Sequence, residues 1–296
     1  MTTAGFIGLG NIGFPMAKRL LANDDGLVVF DVRREACDPL VAKGARRAES
    51  LAELAAAADV ISVMVRDDAQ VRDVTAGLLD SLPPAGARPD MVIAIHSTVR
   101  AATAIELEAD CAARGVGLVD APVSGGAMGA HQGTLAALVG GSDEAIERCR
   151  PVFAHWASLV VHFGAVGAGT NAKLARNLLH FIAFTAVGEG QRLAEAAGID
   201  IMKLGDVVRH TDKITGGPGA IMLRTKAGEQ QPGDDWYDTF ANVASLGEKD
   251  LALALALARE LGVDLPLGTL AFDRLAPELG VPHSDHHPTH RPEGAA

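Results

Sequence analysis

The sequence predicts an α/β protein with an all-helical C-terminal domain. Over the first 160 residues, short apolar runs alternate with segments of helical composition, the pattern of a doubly wound parallel sheet with crossover helices. After Gly164 the strand signals stop. At 296 residues the chain is long enough for two domains of roughly 150 residues each. We therefore predict a sheet domain over 1–164, a helical domain over 165–281 and a disordered tail over 282–296.

The predicted strands are apolar runs that carry charge only at their ends, as expected for strands buried on both faces of a sheet. They begin at residues 4, 27, 59, 91, 115, 135 and 158 and read AGFIGL, LVVFDV, DVISVMV, MVIAIHS, GVGLVDAPV, LAALVGG and SLVVHFG.

The predicted helices of the first domain are rich in Ala, Leu and Glu and lie at 13–22, 50–57, 68–79, 101–114 and 143–153. One long helix is expected over 169–197 as the connection between the domains, because it contains no proline and Gly198 follows it. The remaining predicted helices lie at 199–212, 218–228, 238–261 and 266–280.

The long helix is apolar on several faces between Leu178 and Val187. Such a helix has to be covered by protein, either by a neighbouring domain or by a second subunit. We therefore expect a homodimer or a homotetramer.

Composition excludes several classes of partner. The formal net charge is −11, and no cluster of Lys and Arg could follow a phosphate backbone, so nucleic acid is not expected. No run approaches the roughly 18 apolar residues of a membrane span, and the N-terminus lacks a signal-peptide pattern. The three cysteines are scattered and lack metal-ligand spacing, which predicts buried thiols in a reducing compartment and no metal site. We therefore expect a cytoplasmic protein, and we interpret the histidines after 282 as part of a solvated tail.

A glycine-rich motif follows the first strand directly and opens the first helix. Its sequence is GLGNIG, with Gly8, Gly10 and Gly13 at the glycine positions and Asn11 and Ile12 between the last two. Backbone N–H groups and the helix dipole at such a turn can bind the pyrophosphate of a dinucleotide. The first domain is therefore predicted to be a Rossmann-type dinucleotide-binding domain.

An acidic residue at the end of the second strand bears on the choice of cofactor. Asp31 lies eighteen residues after Gly13, about where an acid accepts hydrogen bonds from the adenosine ribose. Its charge would repel the 2′-phosphate of NADP, so we predict NAD. Arg33 and Arg34 follow closely and could pair with that phosphate, which leaves NADP possible.

Four segments of the chain resemble, in order, the β-hydroxyacid dehydrogenase family, which includes 3-hydroxyisobutyrate dehydrogenases and tartronate semialdehyde reductases. They are GFIGLGNIGFPMAKRL, DAPVSGGAMGAHQGTL, GAVGAGTNAKLARN and EKDLALAL, and they span Gly5 to about Leu255. The resemblance implies an NAD(P)-dependent oxidoreductase that transfers a hydride between nicotinamide and a small 3-hydroxy acid or its semialdehyde.

The third segment contains the predicted catalytic pair. Lys173 and Asn177 are four residues apart, so they lie on one face of the long helix. Oxidation of a hydroxy acid releases a hydroxyl proton, and a lysine with a pKa lowered by desolvation can accept it. Spacing alone favours a solvated lysine on the face of the helix; the resemblance implies that Lys173 is the general acid/base and that Asn177 orients it and the substrate.

The second segment contains the predicted substrate loop. The resemblance implies that Ser124, Gly125 and Gly126 hold the substrate carboxylate. Consecutive backbone N–H groups beside a hydroxyl form an anion-binding nest, and glycine has no Cβ to obstruct the approach. A glycine-rich surface turn is the alternative.

The resemblance implies further cofactor contacts. They are Met64, Val65 and Arg66 beneath the cofactor, Thr98 near the nicotinamide, and Lys249 from the helical domain. Read alone, Lys249 belongs to a charged helix start. Trp236 and Phe240 resemble an apolar wall near the substrate, although a core role fits equally well.

The sequence departs from the family pattern at two points. Ile95, followed by His96, stands where many members have Asp, and Arg66 stands where proline is common. Both departures could alter the affinity for the cofactor.

Three alternative functions remain open from the sequence. A reductase of glyoxylate or succinic semialdehyde would use the same architecture. An imine reductase would also fit the fold, although those enzymes usually lack a lysine at the position of Lys173. A catalytically silent nucleotide-binding module would have no need for Ser124, Lys173 and Asn177 together.

Overall fold

A computed structural model of the protein describes residues 2–83, 88–222 and 228–288. The chain divides into two compact units, Met1–Asn177 and Leu178–Ala296. The first unit therefore continues past residue 164 and includes the first turns of the long helix.

The described residues of the first unit contain one nine-stranded sheet. Its strands are β1 (Ala4–Ile7), β2 (Leu27–Phe30), β3 (Arg46–Arg47), β4 (Val60–Val63), β5 (Val92–Ile95), β6 (Gly117–Asp120), β7 (Val123–Ser124), β8 (Leu135–Gly140) and β9 (Ala157–Gly164). The order is β3-β2-β1-β4-β5-β6-β8-β7, with β9 paired to β8.

Strands β1 to β6 are mutually parallel, which confirms the predicted Rossmann-type sheet. The direction reverses at β8, which is antiparallel to β6 and β7, while β9 is parallel to β8. Only residues 125–134 connect β7 to β8. A parallel connection usually needs about a dozen residues or more, so this short connection returns the chain in the opposite direction.

The helices of the first unit lie in the connections between strands. They are α1 (Gly13–Arg19), α2 (Asp38–Val41), α3 (Leu51–Ala57), α4 (Asp68–Asp80), α5 (Ala101–Ala113), α6 (Gly126–Gln132) and α7 (Asp143–Phe153), followed by the start of α8 (Ala168–Ala196). Side chains of Ser50, Asp67 and Ser142 accept backbone N–H bonds at the starts of α3, α4 and α7. These caps explain why those three helices begin where they do.

Both faces of the sheet are buried. One face packs with α1 and α7 through large side chains such as Phe6, Met16, Phe153 and Trp156. The other face packs with α3, α4 and α5 through Leu54, Ile61, Leu78, Ile93 and Cys111, among others. Cys37, Cys111 and Cys149 are buried and free, as expected, and burial raises the pKa of each thiol, that of Cys111 to about 12.

The second unit is helical where it is described. After the remainder of α8, it contains α9 (Ile201–Thr215), α10 (Tyr237–Leu261) and α11 (Pro266–Leu279). The predicted helix 218–228 is instead a short 3₁₀ segment, Gly217–Ile221, and residues 223–227 lie outside the described residues. Gly216 and Gly217 both have positive φ, which ends α9 and prevents a regular helix from continuing.

A carboxylate on α8 caps α11. Glu189 is buried, and its two oxygens accept the backbone N–H groups of Leu267 and Gly268, each at 2.8 Å. Such bonds satisfy donors that have no partner inside a helix.

The hydrophobic core of the second unit is small. It contains Phe240, Ala244, Ala276, Leu279 and Val281. The long helix and α9 leave large apolar side chains exposed, among them Leu178, Phe181, Phe184, Met202, Val207 and Ile214. No helix among the described residues is long and apolar enough to span a bilayer.

The segment 282–288, predicted as part of a disordered tail, contacts α10. The buried carboxylate of Glu248 accepts hydrogen bonds from His283 Nδ1 at 2.6 Å, from Ser284 N at 2.8 Å and from Ser284 Oγ at 2.6 Å. Burial raises the pKa of Glu248, but the hydrogen bonds from Ser284 and His283 outweigh it and leave the pKa below its usual value. Residues 289–296 lie outside the described residues.

Candidate active site

The predicted cofactor-binding residues surround one crevice at the carboxyl edge of the parallel strands. β1 lies between β2 and β4, so the strand order reverses there, and ligands of such sheets bind at this point. A cavity of about 790 Å³ occupies the crevice. Of the predicted residues, Gly8, Gly10, Asn11, Ile12, Gly13, Asp31, Met64, Val65 and Arg66 line it.

The three glycines of the turn between β1 and α1 have distinct environments. Gly8 has φ +91°, and a Cβ there would overlap the carbonyl oxygen of Met64. A Cβ at Gly13 would overlap the carbonyl oxygen of Gly8, whereas a Cβ at Gly10 would meet nothing within 4 Å. The turn is therefore tight at both ends and open at Gly10, where a pyrophosphate would approach the backbone. These residues fit a dinucleotide.

Asp31 ends β2 and is fixed by backbone donors. Its Oδ2 accepts the N–H of Leu9 at 2.7 Å and its Oδ1 accepts the N–H of Arg33 at 2.8 Å. The Arg33 side chain is exposed, lines the cavity and lies 3.6 Å from Asp31 Oδ1. Arg34 instead forms an ion pair with Glu49. Of the two arginines that kept NADP open, only Arg33 lines the described cavity.

The turn after β4 is held by a residue that sequence reasoning missed. Ser97 Oγ accepts the N–H of Val65 at 2.9 Å and donates to the carbonyl oxygen of Val65 at 2.7 Å. The neighbouring Thr98 is exposed at the end of β5. The signal for Ser97 in the sequence was its position at the end of the apolar run MVIAIHS.

The side chains of Ile95 and His96, where the sequence departs from the family pattern, lie in the core. Ile95 is buried, and His96 Nε2 lies 3.0 Å from Ser62 Oγ while Nδ1 lies 2.8 Å from the carbonyl oxygen of Ala121. The carbonyl can only accept, so Nδ1 carries the proton. Burial lowers the pKa of His96 to about 4.

The predicted substrate loop begins at the end of β7. Gly125 and Gly126 have φ +127° and +63°, so two successive residues adopt a backbone that disfavours side chains. A Cβ at Gly126 would meet nothing within 4 Å. The loop is open at Gly126 and leads directly into α6.

The predicted catalytic pair lies near the start of α8. Lys173 is only 7% exposed, and burial followed by the charge of Arg176 lowers its pKa to about 8. Asn177 Oδ1 accepts a long hydrogen bond from the Arg176 guanidinium at 3.4 Å. The lysine is therefore desolvated rather than a solvated residue on a helix face.

A second residue missed by sequence reasoning is Asp120, the last residue of β6. Its side chain is completely buried, and it accepts the N–H of Gly167 at 2.8 Å and that of Thr170 at 2.6 Å. Burial raises its pKa, although these hydrogen bonds act in the opposite direction. Its partners lie 47 and 50 residues away along the chain, so no local pattern could reveal them.

The remaining predicted residues belong to the second unit. Lys249 lies within α10 with a half-exposed side chain, and its Nζ is 3.1 Å from Asp250 Oδ1. Phe240 is part of the core of that unit, and the partly exposed Trp236 stacks on it with the ring centroids 6.4 Å apart.

Two family models match the chain almost end to end. The NAD binding domain of 6-phosphogluconate dehydrogenase matches residues 3–164, and the NAD-binding domain of NADP-dependent 3-hydroxyisobutyrate dehydrogenase matches residues 167–287. The matched families bind NAD(P), and the residues that line the crevice fit a dinucleotide, so the cofactor of this protein is NAD(P).

Similar proteins point to the same family. The uncharacterized oxidoreductase Rv0770 of Mycobacterium tuberculosis is 51% identical over 96% of this chain and 95% of its own length. The 3-hydroxyisobutyrate dehydrogenase of Pseudomonas aeruginosa is 35% identical over 92% and 90%, respectively. The structure of M. tuberculosis 3-hydroxyisobutyrate dehydrogenase with L-serine superposes with a TM-score of 0.65 at 32% identity, covering 99% of this chain and 100% of that one. The chain thus belongs to the β-hydroxyacid dehydrogenase family, as an NAD(P)-binding oxidoreductase of the 3-hydroxyisobutyrate dehydrogenase type.

Proposed function

We propose that the protein is an NAD-dependent dehydrogenase of a small 3-hydroxy acid, with Lys173 as its general acid/base. The observation that carries the proposal is the buried Lys173 with a pKa of about 8. A lysine with an unshifted pKa would remain protonated and could not accept a proton near neutral pH.

The chemistry of the relatives supports the substrate class. One similar protein is named for 3-hydroxyisobutyrate, and the structure of another is described with L-serine. In both molecules a CH₂OH group is attached to the carbon that bears the carboxylate. They differ in a methyl or an amino substituent. The proposed substrate is therefore HO–CH₂–CH(X)–COO⁻ with a small X, and the product is the semialdehyde.

Each group of the chain has one role in this proposal. The N–H groups of Gly125 and Gly126 and the hydroxyl of Ser124 bind the carboxylate. Lys173 Nζ takes the hydroxyl proton during oxidation and returns it during reduction, and Asn177 orients the hydroxyl. Bound NAD supplies the hydride acceptor.

Gly8, Gly10, Asn11, Ile12, Gly13 and Asp31 hold the adenosine and pyrophosphate in the proposal. Met64, Val65 and Arg66 lie beneath them, and Thr98 meets the nicotinamide end. Lys249 contributes a cofactor contact from α10.

The test is turnover followed by the absorbance of reduced nicotinamide. NAD and NADP are each paired with 3-hydroxyisobutyrate, L-serine, glycerate and 4-hydroxybutyrate, using wild type, Lys173→Ala and the matched control Lys43→Ala at an exposed lysine. We expect Lys173→Ala to lower kcat by roughly 10²- to 10⁴-fold, the usual contribution of general acid–base catalysis, without changing the Kd for NAD. Lys43→Ala should match wild type.

Three results would contradict the proposal. Undiminished turnover in Lys173→Ala would exclude the lysine as the acid/base. Turnover by wild type only with glyoxylate, succinic semialdehyde or a cyclic imine would replace the substrate class, and tight NAD binding without any turnover would favour a silent module.

A further inference from the structure

We propose that Asp120 is a positioning residue for the reaction, which fixes the start of α8, and thereby Lys173, against the strand that leads to Ser124. This inference rests on the proposed function and adds a residue to it.

Asp120 can reach α8 because the start of this helix packs very closely against the sheet. A Cβ at Gly140 would lie 2.6 Å from the carbonyl oxygen of Ala165 and 2.9 Å from the backbone nitrogen of Gly169, and it would overlap Asp120 Oδ1. A Cβ at Gly169 would overlap the carbonyl oxygen of Leu138. The absence of these two side chains lets the start of α8 approach β6 and β8 closely enough for the carboxylate to reach it.

Each oxygen of the Asp120 carboxylate accepts a hydrogen bond from a different end of the first turn of α8. Oδ1 accepts from Gly167 just before α8, and Oδ2 accepts from Thr170 within it. Two convergent donors and the positive end of the helix dipole favour an anion at this point, although burying it is costly. An amide side chain of the same shape would offer only one acceptor.

The same residue links both halves of the proposed catalytic site. Lys173 follows Thr170 by three residues, a helical rise of about 4.5 Å on the same face. Ser124 follows Asp120 by four residues, and its strand is held in register by β8, where Ser124 pairs with Ala136. The position of the acid/base relative to the carboxylate-binding loop therefore depends on the Asp120 bonds.

The chain contains a matched control. Glu189 is also a buried carboxylate whose two oxygens cap a helix, but it holds α11 in the second unit. Replacing either carboxylate by its amide removes one acceptor from a buried cap. Only Asp120→Asn should disturb Lys173.

We expect Asp120→Asn and Glu189→Gln to lower Tm similarly, while only Asp120→Asn lowers kcat by at least about tenfold, since small misplacements of a reacting group cost that much. The KM for NAD should change less than twofold. Lys173 should also titrate above 8 in Asp120→Asn, closer to the ordinary 10.5, because the side chain is less firmly held in its buried position.

The second readout does not depend on turnover. Reductive methylation with ¹³C-formaldehyde labels the lysines, and the Lys173 signal is identified by its absence in Lys173→Arg. Its titration in wild type, Asp120→Asn and Glu189→Gln measures the environment of the amine even if every tested hydroxy acid fails as a substrate. Failure of the proposed function would therefore leave this measurement intact.

A milder variant covers the case in which Asp120→Asn does not fold. Asp120→Ser replaces the buried charge by a smaller neutral hydroxyl, so the cap formed by two carboxylate oxygens is lost without crowding the site. It should change the Lys173 titration in the same direction. An unaltered kcat and an unaltered Lys173 titration in the variants that fold would overturn the proposal.

Discussion

Asp31 Oδ2 accepts the backbone N–H of Leu9 at 2.7 Å, which ties the acid at the end of β2 to the glycine-rich turn after β1. The two residues are 22 positions apart, so the contact fixes the spacing between the pyrophosphate end and the ribose end of the crevice. The carboxylate is only 7% exposed and faces a cavity that is lined by two arginines, Arg66 and Arg33, of which Arg33 lies 3.6 Å from Asp31 Oδ1.

This arrangement predicts a preference for NAD. We expect kcat/KM to favour NAD over NADP by roughly tenfold or more, equivalent to about 1.4 kcal/mol, because a 2′-phosphate would face the carboxylate. Asp31→Asn should reduce that ratio, whereas Asp38→Asn, at an exposed acid paired with Arg47, should preserve it. A wild-type preference for NADP would contradict this prediction.

The pKa of Lys173 predicts opposite pH dependences for the two directions of reaction. Oxidation needs the neutral amine, so kcat/KM should rise as pH increases through about 8; reduction needs the protonated amine and should fall over the same range. Arg176→Met should move both profiles to higher pH, because it removes the second cause of the lowered pKa. Profiles without an ionisation near this pH would remove Lys173 from the proton transfer.

The open space at Gly126 predicts a substrate-specific defect. Gly126→Ala and Gly262→Ala place a methyl group at φ +63° and +67°, respectively, in open surroundings, so both should cost about 1 kcal/mol of stability. Only Gly126→Ala should raise the KM for the hydroxy acid, by roughly tenfold, which corresponds to about 1.4 kcal/mol of lost carboxylate binding. Steady-state kinetics with saturating NAD checks this, and equal KM values in the two variants would exclude the loop as the carboxylate site.

The central strands and the glycine-rich turn could be predicted because their signals are local. VISV and VIAI are wholly apolar or nearly so, since both faces of β4 and β5 are buried. The reversal at β8 could not be predicted, because the apolar run LAALVG carries no information about strand direction. β3, only Arg46–Arg47, has no apolar signal at all.

Site residues divide in the same way. The spacing of three glycines in the sequence identifies Gly8, Gly10 and Gly13. In contrast, the hydrogen-bond partners of Asp120 and Ser97 are distant in the sequence and come close only in the folded chain. The sequence does not indicate the helix α6, because two of the seven residues in GAMGAHQ are glycines, which are poor helix formers. The helix begins directly after Gly125, whose positive φ turns the chain into it. Composition cannot encode such a turn.

His96 predicts a loss of stability in acid. Its pKa is about 4 in the folded protein and 6.5 ordinarily, so between these values the unfolded chain binds a proton that the folded chain excludes. This contribution is complete above pH 6.5 and is lost as pH falls toward 4; it is on the order of 3 kcal/mol.

Urea unfolding at several pH values in this window measures the effect. We expect His96→Gln to be less stable at neutral pH but to show a weaker pH dependence than wild type, while His131→Gln, at an exposed histidine, retains the full dependence. Parallel curves for His96→Gln and wild type would show that His96 is not the responsible group.

The exposed apolar side chains of α8 predict self-association. Phe181 is 59% exposed and Leu178 65%, and an apolar surface of this kind usually marks an interface. Light scattering coupled to gel filtration should give a homodimer or a homotetramer for wild type. Phe181→Asp should lower the mass and Val41→Asp, on the first unit, should not; a monomeric wild type would contradict the expectation.

The capping of α8 by Asp120 also bears on how the protein is made. A nascent chain that ends at Gly164 already contains every described strand of the sheet, yet the two N–H groups that satisfy the buried carboxylate come from residues 167 and 170. The nucleotide-binding unit therefore cannot finish folding until translation has passed its last strand. A fragment cut at residue 164 should be unstable, whereas one that extends through Asn177 should fold and bind NAD.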